Sequence, residues 1–368
     1  MNKSRILHLL TGLSVGGGEK AALEVAKYTN KDHFDVQVIS VGKHKDMLAD
    51  FKKNNLSIKV IDPAPTTFRF WRIISLIVVG YRALVKEIKE QRTDILHAHM
   101  GHAIILGTLL KFRFPKMKLV FTSQNYIMDS GIGTAITYLF KWLRSADIIF
   151  SKDMANAMYR EDATIIPNGI DTKMYHLNLP KFQTFTFVCI GRLTKQKNQA
   201  VLMKPISELK KEGYQFELLI VGEGEDRPLI EQAIAEHKVQ DKVRLLGLRR
   251  DIPILCNKAH CLVMPSLWEG LPLAMLEAAS CQLPVIFTNV GSVSSLLNKD
   301  TGYLVEDVGE LKENMKAVLD NYEIALQKAN RLKVLVENEY DVTMIARKHE
   351  VLYSALLNNN KQNVPVME

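Results

Sequence analysis

Short runs of Val, Ile and Leu, apolar at successive positions, recur along the chain and alternate with stretches whose apolar residues repeat at helical spacing. In the first half the pattern predicts strands at 5–11, 36–40, 58–61, 94–98, 118–123, 146–151 and 164–166. Helices are predicted from the glycines at 16–18 to about 29, and over 70–90, 103–111 and 134–144. Strands that are apolar throughout, with helices between them, imply a parallel sheet covered on both faces. After Pro167-Asn168-Gly169-Ile170-Asp171 and a linker containing Pro180, the pattern restarts. Strands are expected at 185–191, 216–222, 243–246, 261–265 and 284–288, with helices from Asn198, Pro228 and Pro272. A last helix spans 341–357.

The fold class is therefore α/β, with two doubly wound domains in tandem. The expected domains are 1–175, with the helix 341–357 packing back on it, and 181–340, and the polar tail 358–368 is expected to be disordered. Such sheets bind ligands beyond the carboxyl ends of their strands, so two facing domains would share one cleft.

Composition narrows the class. With 368 residues, 47% hydrophobic and 24% charged, the chain has ample material for packed cores, which excludes a disordered or collagen-like protein. Cys189, Cys256, Cys261 and Cys281 form no C-x-x-C pair and sit beside apolar residues. They read as buried thiols of a cytosolic protein, with a zinc or redox role as the alternative. The most apolar stretch, 73–79, is far below the ~20 residues that span a bilayer, and no leader peptide is visible, so a soluble protein is expected.

Charge is uneven. Residues 1–180 hold 25 Lys and Arg against 16 Asp and Glu, whereas 181–368 hold 23 against 24. Phe68-Arg69-Phe70-Trp71-Arg72 and the stretch from Lys111 to Lys118 interleave bases with aromatics. That chemistry suits an anionic membrane surface, or a solvated loop with a few core anchors. No recognition motif supports nucleic-acid binding.

Four groups of residues could carry chemistry. Gly16, Gly17 and Gly18 lie between the first strand and first helix, where backbone without Cβ atoms can approach a phosphate or sugar, or simply make a tight turn. Their spacing is neither G-x-G-x-x-G nor a Walker loop, which argues against a nicotinamide dehydrogenase and a Walker-type ATPase. Arg192 and Lys197 follow the first strand of the second domain, where a diphosphate would lie. Glu269 and Glu277 bracket Gly270-Leu271-Pro272-Leu273-Ala274, with Pro272 suited to a first helical turn and the amides of Leu273 and Ala274 turned to a phosphate. Two carboxylates about 10 Å apart along a helix fit opposite ends of a nucleotide sugar better than a hydrolase's pair. His97, His99 and His102 follow a strand and read either as packed side chains or as polar groups in the cleft, without the companions a metal site needs. The sequence has no Asp-x-Asp to clamp a metal on a diphosphate.

These residues resemble glycosyltransferase family 4, a large group of retaining enzymes with the two-domain GT-B fold. The resemblance rests on Gly16-Gly17-Gly18-Glu19, His97-Ala98-His99, Ile166-Pro167-Asn168-Gly169-Ile170-Asp171, Gly191-Arg192-Leu193 with Lys197, Val221-Gly222-Glu223-Gly224, and Pro265-Ser266 with Glu269 and Glu277 as the family's E-x7-E. It implies a nucleotide-diphosphate sugar donor, UDP being the expected nucleotide, on the second domain, and an acceptor on the first. Arg192 and Lys197 would bind the diphosphate. Glu269 and the backbone of Gly270, Leu271, Leu273 and Ala274 would hold the sugar, Glu277 the ribose, and Gly16 and Gly17 would close over the phosphates. Glu269 and His99 are the residues the resemblance implies as catalytic. No metal or other cofactor is expected.

Three positions depart from the family pattern: Gln124 stands two residues after Thr122 where many members have histidine, Gln282 replaces a glycine, and Ser295 replaces a glutamate. The expected activity is transfer of a hexose or hexosamine to a lipid-linked glycan for bacterial surface polysaccharide, by a cytoplasmic enzyme on the inner membrane face. A small soluble acceptor, a nucleotide-sugar epimerase and an inactive binding partner remain as alternatives.

Overall fold

The computed structural model describes residues 3–14, 16–42, 44–62, 69–99, 101–122, 131–156 and 158–358. They form two compact units, Met1–Gly169 with Val342–Glu368, and Ile170–Asp341.

The first unit is built on seven parallel strands: β1 (Ser4–Leu10), β2 (Phe34–Val41), β3 (Ser57–Ile61), β4 (Ile95–His99), β5 (Lys118–Thr122), β6 (Ala146–Ile149) and β7 (Thr164–Ile165). Their order is β3-β2-β1-β4-β5-β6-β7. β1 and β4 lie side by side but connect onward in opposite directions, which makes the gap between them the switch point where such sheets receive ligands. The helix Val342–Leu357 belongs to this unit: Leu352, Tyr353 and Leu356 are buried in the same core as Ile6, Phe34 and Phe51. Its Glu350 accepts from the Asn30 amide at 2.7 Å.

The second unit has six parallel strands, β8 (Thr186–Ile190), β9 (Glu217–Val221), β10 (Val243–Leu245), β11 (Cys261–Met264), β12 (Val285–Thr288) and β13 (Tyr303–Val305), in the order β10-β9-β8-β11-β12-β13. Its switch point lies between β8 and β11.

Several expectations need correction. The first unit ends at Gly169, not 175, because 170–175 is tied to the second: the Ile170 amide donates to Tyr340 O at 3.0 Å and the Thr172 hydroxyl to Asp341 Oδ2 at 2.8 Å. The helix expected over 134–144 stops at Leu139, and only a 3₁₀ turn, Lys141–Leu143, follows. Asn198 does not start a helix. It adopts a left-handed conformation, and a 3₁₀ turn leads to the helix Met203–Lys211. Pro272 caps the helix Leu273–Ser280 from outside its first turn. Helices Leu48–Lys53, Ile252–Lys258, Leu311–Asp320 and Tyr322–Glu339, together with β13, were not anticipated from the pattern. Phe68 and the tail 359–368 lie outside the described residues.

Candidate functional site

In the second unit the loops leaving β8 and β11 flank the switch point, and they carry Arg192, Lys197 and Glu269. The two loops are stitched together. The Leu267 amide donates to Gln196 O at 2.8 Å, Gln196 Nε2 to Trp268 O at 2.9 Å, and Asn198 Nδ2 to Pro265 O at 3.3 Å. Lys197 Nζ closes directly on Glu269 Oε1, and Glu269 is only 5% exposed. Arg192 is exposed, and its carbonyl accepts from Gln199 Nε2 at 2.9 Å.

Two glycines make this crowding possible. Gly291, at φ +58°, would place a Cβ 2.1 Å from Glu269 O. Gly222, at φ +142°, would place one 1.9 Å from Gly191 O. A side chain at either is excluded by both conformation and contact. The amide of Ser292 then reaches Gly270 O at 2.9 Å, fixing the turn after Glu269.

The helix Leu273–Ser280 opens with the amides of Leu273 and Ala274, which have no carbonyl one turn earlier inside the helix and lie at the positive end of its dipole. Glu277 faces inward from this helix and is 4% exposed. The Tyr175 hydroxyl donates to Glu277 Oε1 at 2.9 Å, and Asn257 Nδ2 donates to the Tyr175 carbonyl at 2.8 Å. Burial, reinforced by the Glu277 charge, pushes the Tyr175 phenol up, so it stays a donor. Arg192, Lys197, Glu269, Gly270, Leu271, Leu273, Ala274 and Glu277 therefore all belong to the second unit. Tyr175 was not foreseen.

In the first unit Gly16 precedes the helix Gly17–Tyr28, as expected of a strand–glycine–helix turn. The buried Glu19 carboxylate folds back to this loop and accepts from the Ser14 hydroxyl at 2.6 Å. His99 is not alone. His8 on β1 pairs in register with His97 on β4, and His8, His97 and His99 are all buried, with His99 2% exposed. His97 bonds Tyr353 through Nδ1 and Thr122 through Nε2, both at 2.7 Å, while His8 Nδ1 meets His99 Nε2 at 2.9 Å. Sequence reading missed His8, although a histidine inside an otherwise apolar strand was its signal.

Burial holds this cluster neutral. It lowers His99 to about 3 and His349 to about 4, and pushes His8 and His97 well below the ordinary histidine range. His99 is thus a buried neutral imidazole and not a base poised near pH 7. Nitrogens of His8, His97 and His99 lie within 4.8 Å of one another, a spacing that could hold a metal ion. Yet both His97 nitrogens already bond hydroxyls, and His8 and His99 bond each other. If the outer nitrogens His8 Nε2 and His99 Nδ1 both bound a metal, both rings would have to carry their protons at the shared contact. The cluster fits a hydrogen-bonded network better than a metal site.

Other expectations fall elsewhere. Cys189, Cys256 and Cys261 are buried thiols, burial pushing Cys189 up to about 12, whereas Cys281 is half-buried, contrary to expectation. Gln124 and its neighbour Asn125 lie outside the described residues, as does the His102 side chain. No helix among the described residues is long and apolar enough to cross a membrane.

Two doubly wound parallel sheets, the second with cations and a carboxylate on the loops at its switch point, are the frame of the two-domain GT-B class. Residues 15–174 match Glycosyltransferase Family 4, and residues 184–321 match Glycosyl transferases group 1. The Escherichia coli UDP-Gal:alpha-D-GlcNAc-diphosphoundecaprenol alpha-1,3-galactosyltransferase is 25% identical, over 97% of this chain and 98% of its own. EpsF of Bacillus subtilis (strain 168), named as a glycosyltransferase, is 32% identical over 78% of this chain and 80% of its own. Among solved structures, Anabaena HepE in complex with UDP and glucose aligns with a TM-score of 0.82 at 18% identity, covering 96% of this chain and 100% of that one. Sucrose-phosphate synthase from Thermosynechococcus elongatus aligns with a TM-score of 0.82 at 17% identity, covering 97% and 100%. The chain belongs to glycosyltransferase family 4.

Proposed function

We propose that this glycosyltransferase moves a hexose or hexosamine, with retention of anomeric configuration, from UDP-sugar to a lipid-linked glycan acceptor used to build bacterial surface polysaccharide. One observation carries the reading: the loops that leave β8 and β11, on either side of one switch point, bring Lys197 onto Glu269, and the same two loops carry Arg192 and lead into the helix Leu273–Ser280 that holds Glu277. The galactosyltransferase similar over nearly the whole chain is named for a UDP-Gal donor and a diphosphoundecaprenol acceptor, and supports both substrates. HepE, of the same fold, was solved with UDP and glucose.

In this reaction the leaving group is a nucleoside diphosphate, and the barrier falls if its growing charge is met by fixed donors. Arg192 supplies a planar fork. An ammonium has three donors, so Lys197 can keep Glu269 and still reach a phosphate oxygen. The amides of Leu273 and Ala274 add the helix's positive end. Glu269 would orient the sugar through its hydroxyls, and Glu277 the ribose. With cations and amides meeting the charge, the proposed reaction needs no metal. The departing phosphate would deprotonate the acceptor hydroxyl on the same face, so the protein's share is positioning and charge stabilisation.

The first unit would bring the enzyme to an anionic bilayer at the inner face of the cell membrane. Between Asp94 and Arg144 the sequence holds Lys111, Arg113, Lys116, Lys118 and Lys141 against one carboxylate, Asp129. Trp142 and Leu139 are 66% and 61% exposed there, and Phe112 and Tyr138 are exposed beside them. Trp142 and Phe112 border a groove of about 580 Å³ that Lys111 and Lys118 also line. Rings at headgroup depth with bases meeting phosphate is the arrangement that interfacial anchors use.

The test is incubation of the protein with a panel of UDP-sugars and a diphosphoundecaprenol-linked sugar, following transfer of label to the lipid. The expected result is transfer from one UDP-sugar with the α configuration kept. Hydrolysis or epimerisation of the donor without transfer would overturn the reading.

A further inference from the structure

Glu277 is placed by the proposed function on the donor's ribose, and a buried carboxylate can hold a sugar diol only if its plane is fixed. Tyr175 supplies the constraint. It lies in the 3₁₀ turn Thr172–Tyr175, outside the sheet and outside the loops that carry the charged residues. Its ring is buried, and its hydroxyl donates to Glu277 Oε1 at 2.9 Å. The turn is itself anchored at both ends. The Thr172 hydroxyl bonds Asp341 Oδ2 at 2.8 Å, and Asn257 Nδ2 bonds the Tyr175 carbonyl at 2.8 Å and Pro253 O at 2.8 Å. A donor on a fixed backbone thus points at one oxygen of a carboxylate on a different element.

We propose that Tyr175 is a positioning residue for the donor nucleotide, holding the Glu277 carboxylate in the orientation that accepts the ribose hydroxyls and thereby setting a preference for ribonucleotide over deoxyribonucleotide donors. The proposal rests on the assignment of Glu277 to the ribose. The geometry supports it in three ways. The contact is buried, where a charge-assisted hydrogen bond is strongest. The phenol stays protonated, because burial and the neighbouring carboxylate both raise it. A carboxylate oxygen has two lone pairs, so Oε1 can accept from Tyr175 and still offer a site to a ribose hydroxyl.

The experiment measures calorimetric binding of UDP and of its 2′,3′-dideoxy analogue to the full chain, to Tyr175→Phe and to Glu277→Gln. Tyr175→Phe is expected to weaken UDP roughly five- to twenty-fold, less than full loss of a hydrogen bond to a charged group because Glu277 keeps its charge and loses only its orientation. It should change the dideoxy analogue less than about twofold, since that ligand has no ribose hydroxyl for Glu277 to hold. With a UDP-sugar substrate the loss should appear in KM and leave kcat within about twofold. Equal weakening of both ligands would make Tyr175 a purely structural residue and overturn the proposal. If Glu277→Gln weakens UDP selectively while Tyr175→Phe changes neither ligand, the ribose assignment stands and the positioning role falls. If neither variant distinguishes the two ligands, the ribose assignment itself falls, and if the wild type fails to bind UDP, the UDP donor of the proposed function falls and this proposal with it.

Discussion

Lys197 and Glu269, 72 positions apart in the chain, meet as an ion pair between the loops that leave β8 and β11. Their side chains are 16% and 6% exposed, so each charge depends on the other for most of what water would otherwise supply. Replacing Lys197 with Ala leaves a buried carboxylate without its cation, and is expected to cost roughly 2–4 kcal/mol of stability as well as weakening donor binding. Urea unfolding of Lys197→Ala and of the double variant Lys197→Ala/Glu269→Gln checks this. The second change should restore part of the stability and none of the binding, and equal stability of the two variants would contradict it.

Gly291 constrains the turn after Glu269. Gly291→Ala puts a Cβ where Glu269 O and Gly270 O now lie, at a positive φ. The loop must shift. A loss of at least about 2 kcal/mol is expected from conformation and contact together, and thermal melting of the variant should fall by several degrees. An unchanged melting temperature with unchanged UDP affinity would show that the turn after Glu269 is not constrained in this way.

The histidine cluster predicts a pH dependence of stability in the first unit. His8, His97, His99 and His349 are neutral when folded because burial lowers them, to about 3 for His99 and about 4 for His349. Unfolded, each titrates near 6.5. The unfolded state therefore binds more protons as pH falls below about 6.5, and each histidine removes up to about 1.4 kcal/mol per pH unit until its folded value is reached. Stability should be full above pH 7 and decline from about 6.5 down to about 3, the folded value of His99. Measured at pH 7 and pH 5, a His99→Asn variant should lose less on acidification than the wild type, and identical losses would refute the assignment.

Tyr353 connects the last helix to that cluster through His97 Nδ1 at 2.7 Å. Tyr353→Phe leaves a buried imidazole nitrogen unpaired and is expected to cost about 1–2 kcal/mol. Denaturant unfolding should show a lower midpoint with an unchanged slope.

The exposed face around Trp142 makes a separate prediction. A Phe112→Ala/Trp142→Ala variant should float less with vesicles containing anionic lipid, and the wild type should detach as salt rises past the screening range. Flotation unaffected by either change would remove the membrane from the account without touching the donor site.

Most of the framework was legible because parallel strands buried on both faces are apolar at nearly every position, a pattern that β11 shows in full and β8, β9 and β12 at all but one position. What the pattern hid has physical reasons. β13 is three residues long, and the helix Tyr322–Glu339 carries a mostly polar surface over a narrow buried stripe of Ala325, Ala329, Leu332 and Val336. The charged site residues could be read from their position after strands. Tyr175 could not, since it sits in a single 3₁₀ turn with no periodicity and its partner lies 102 residues away. His8 was overlooked because β1 reads as an apolar strand, and only the register β1–β4 shows that its one ring faces two others.

The central claim is that the second unit binds a nucleoside diphosphate through the loops after β8 and β11. Isothermal titration of UDP into the wild type and into Arg192→Ala/Lys197→Ala tests it most directly. One site per chain is expected in the wild type and at least a tenfold weaker affinity in the variant, since each lost phosphate contact is worth about 1.4 kcal/mol or more. Equal affinity in the two proteins would contradict it.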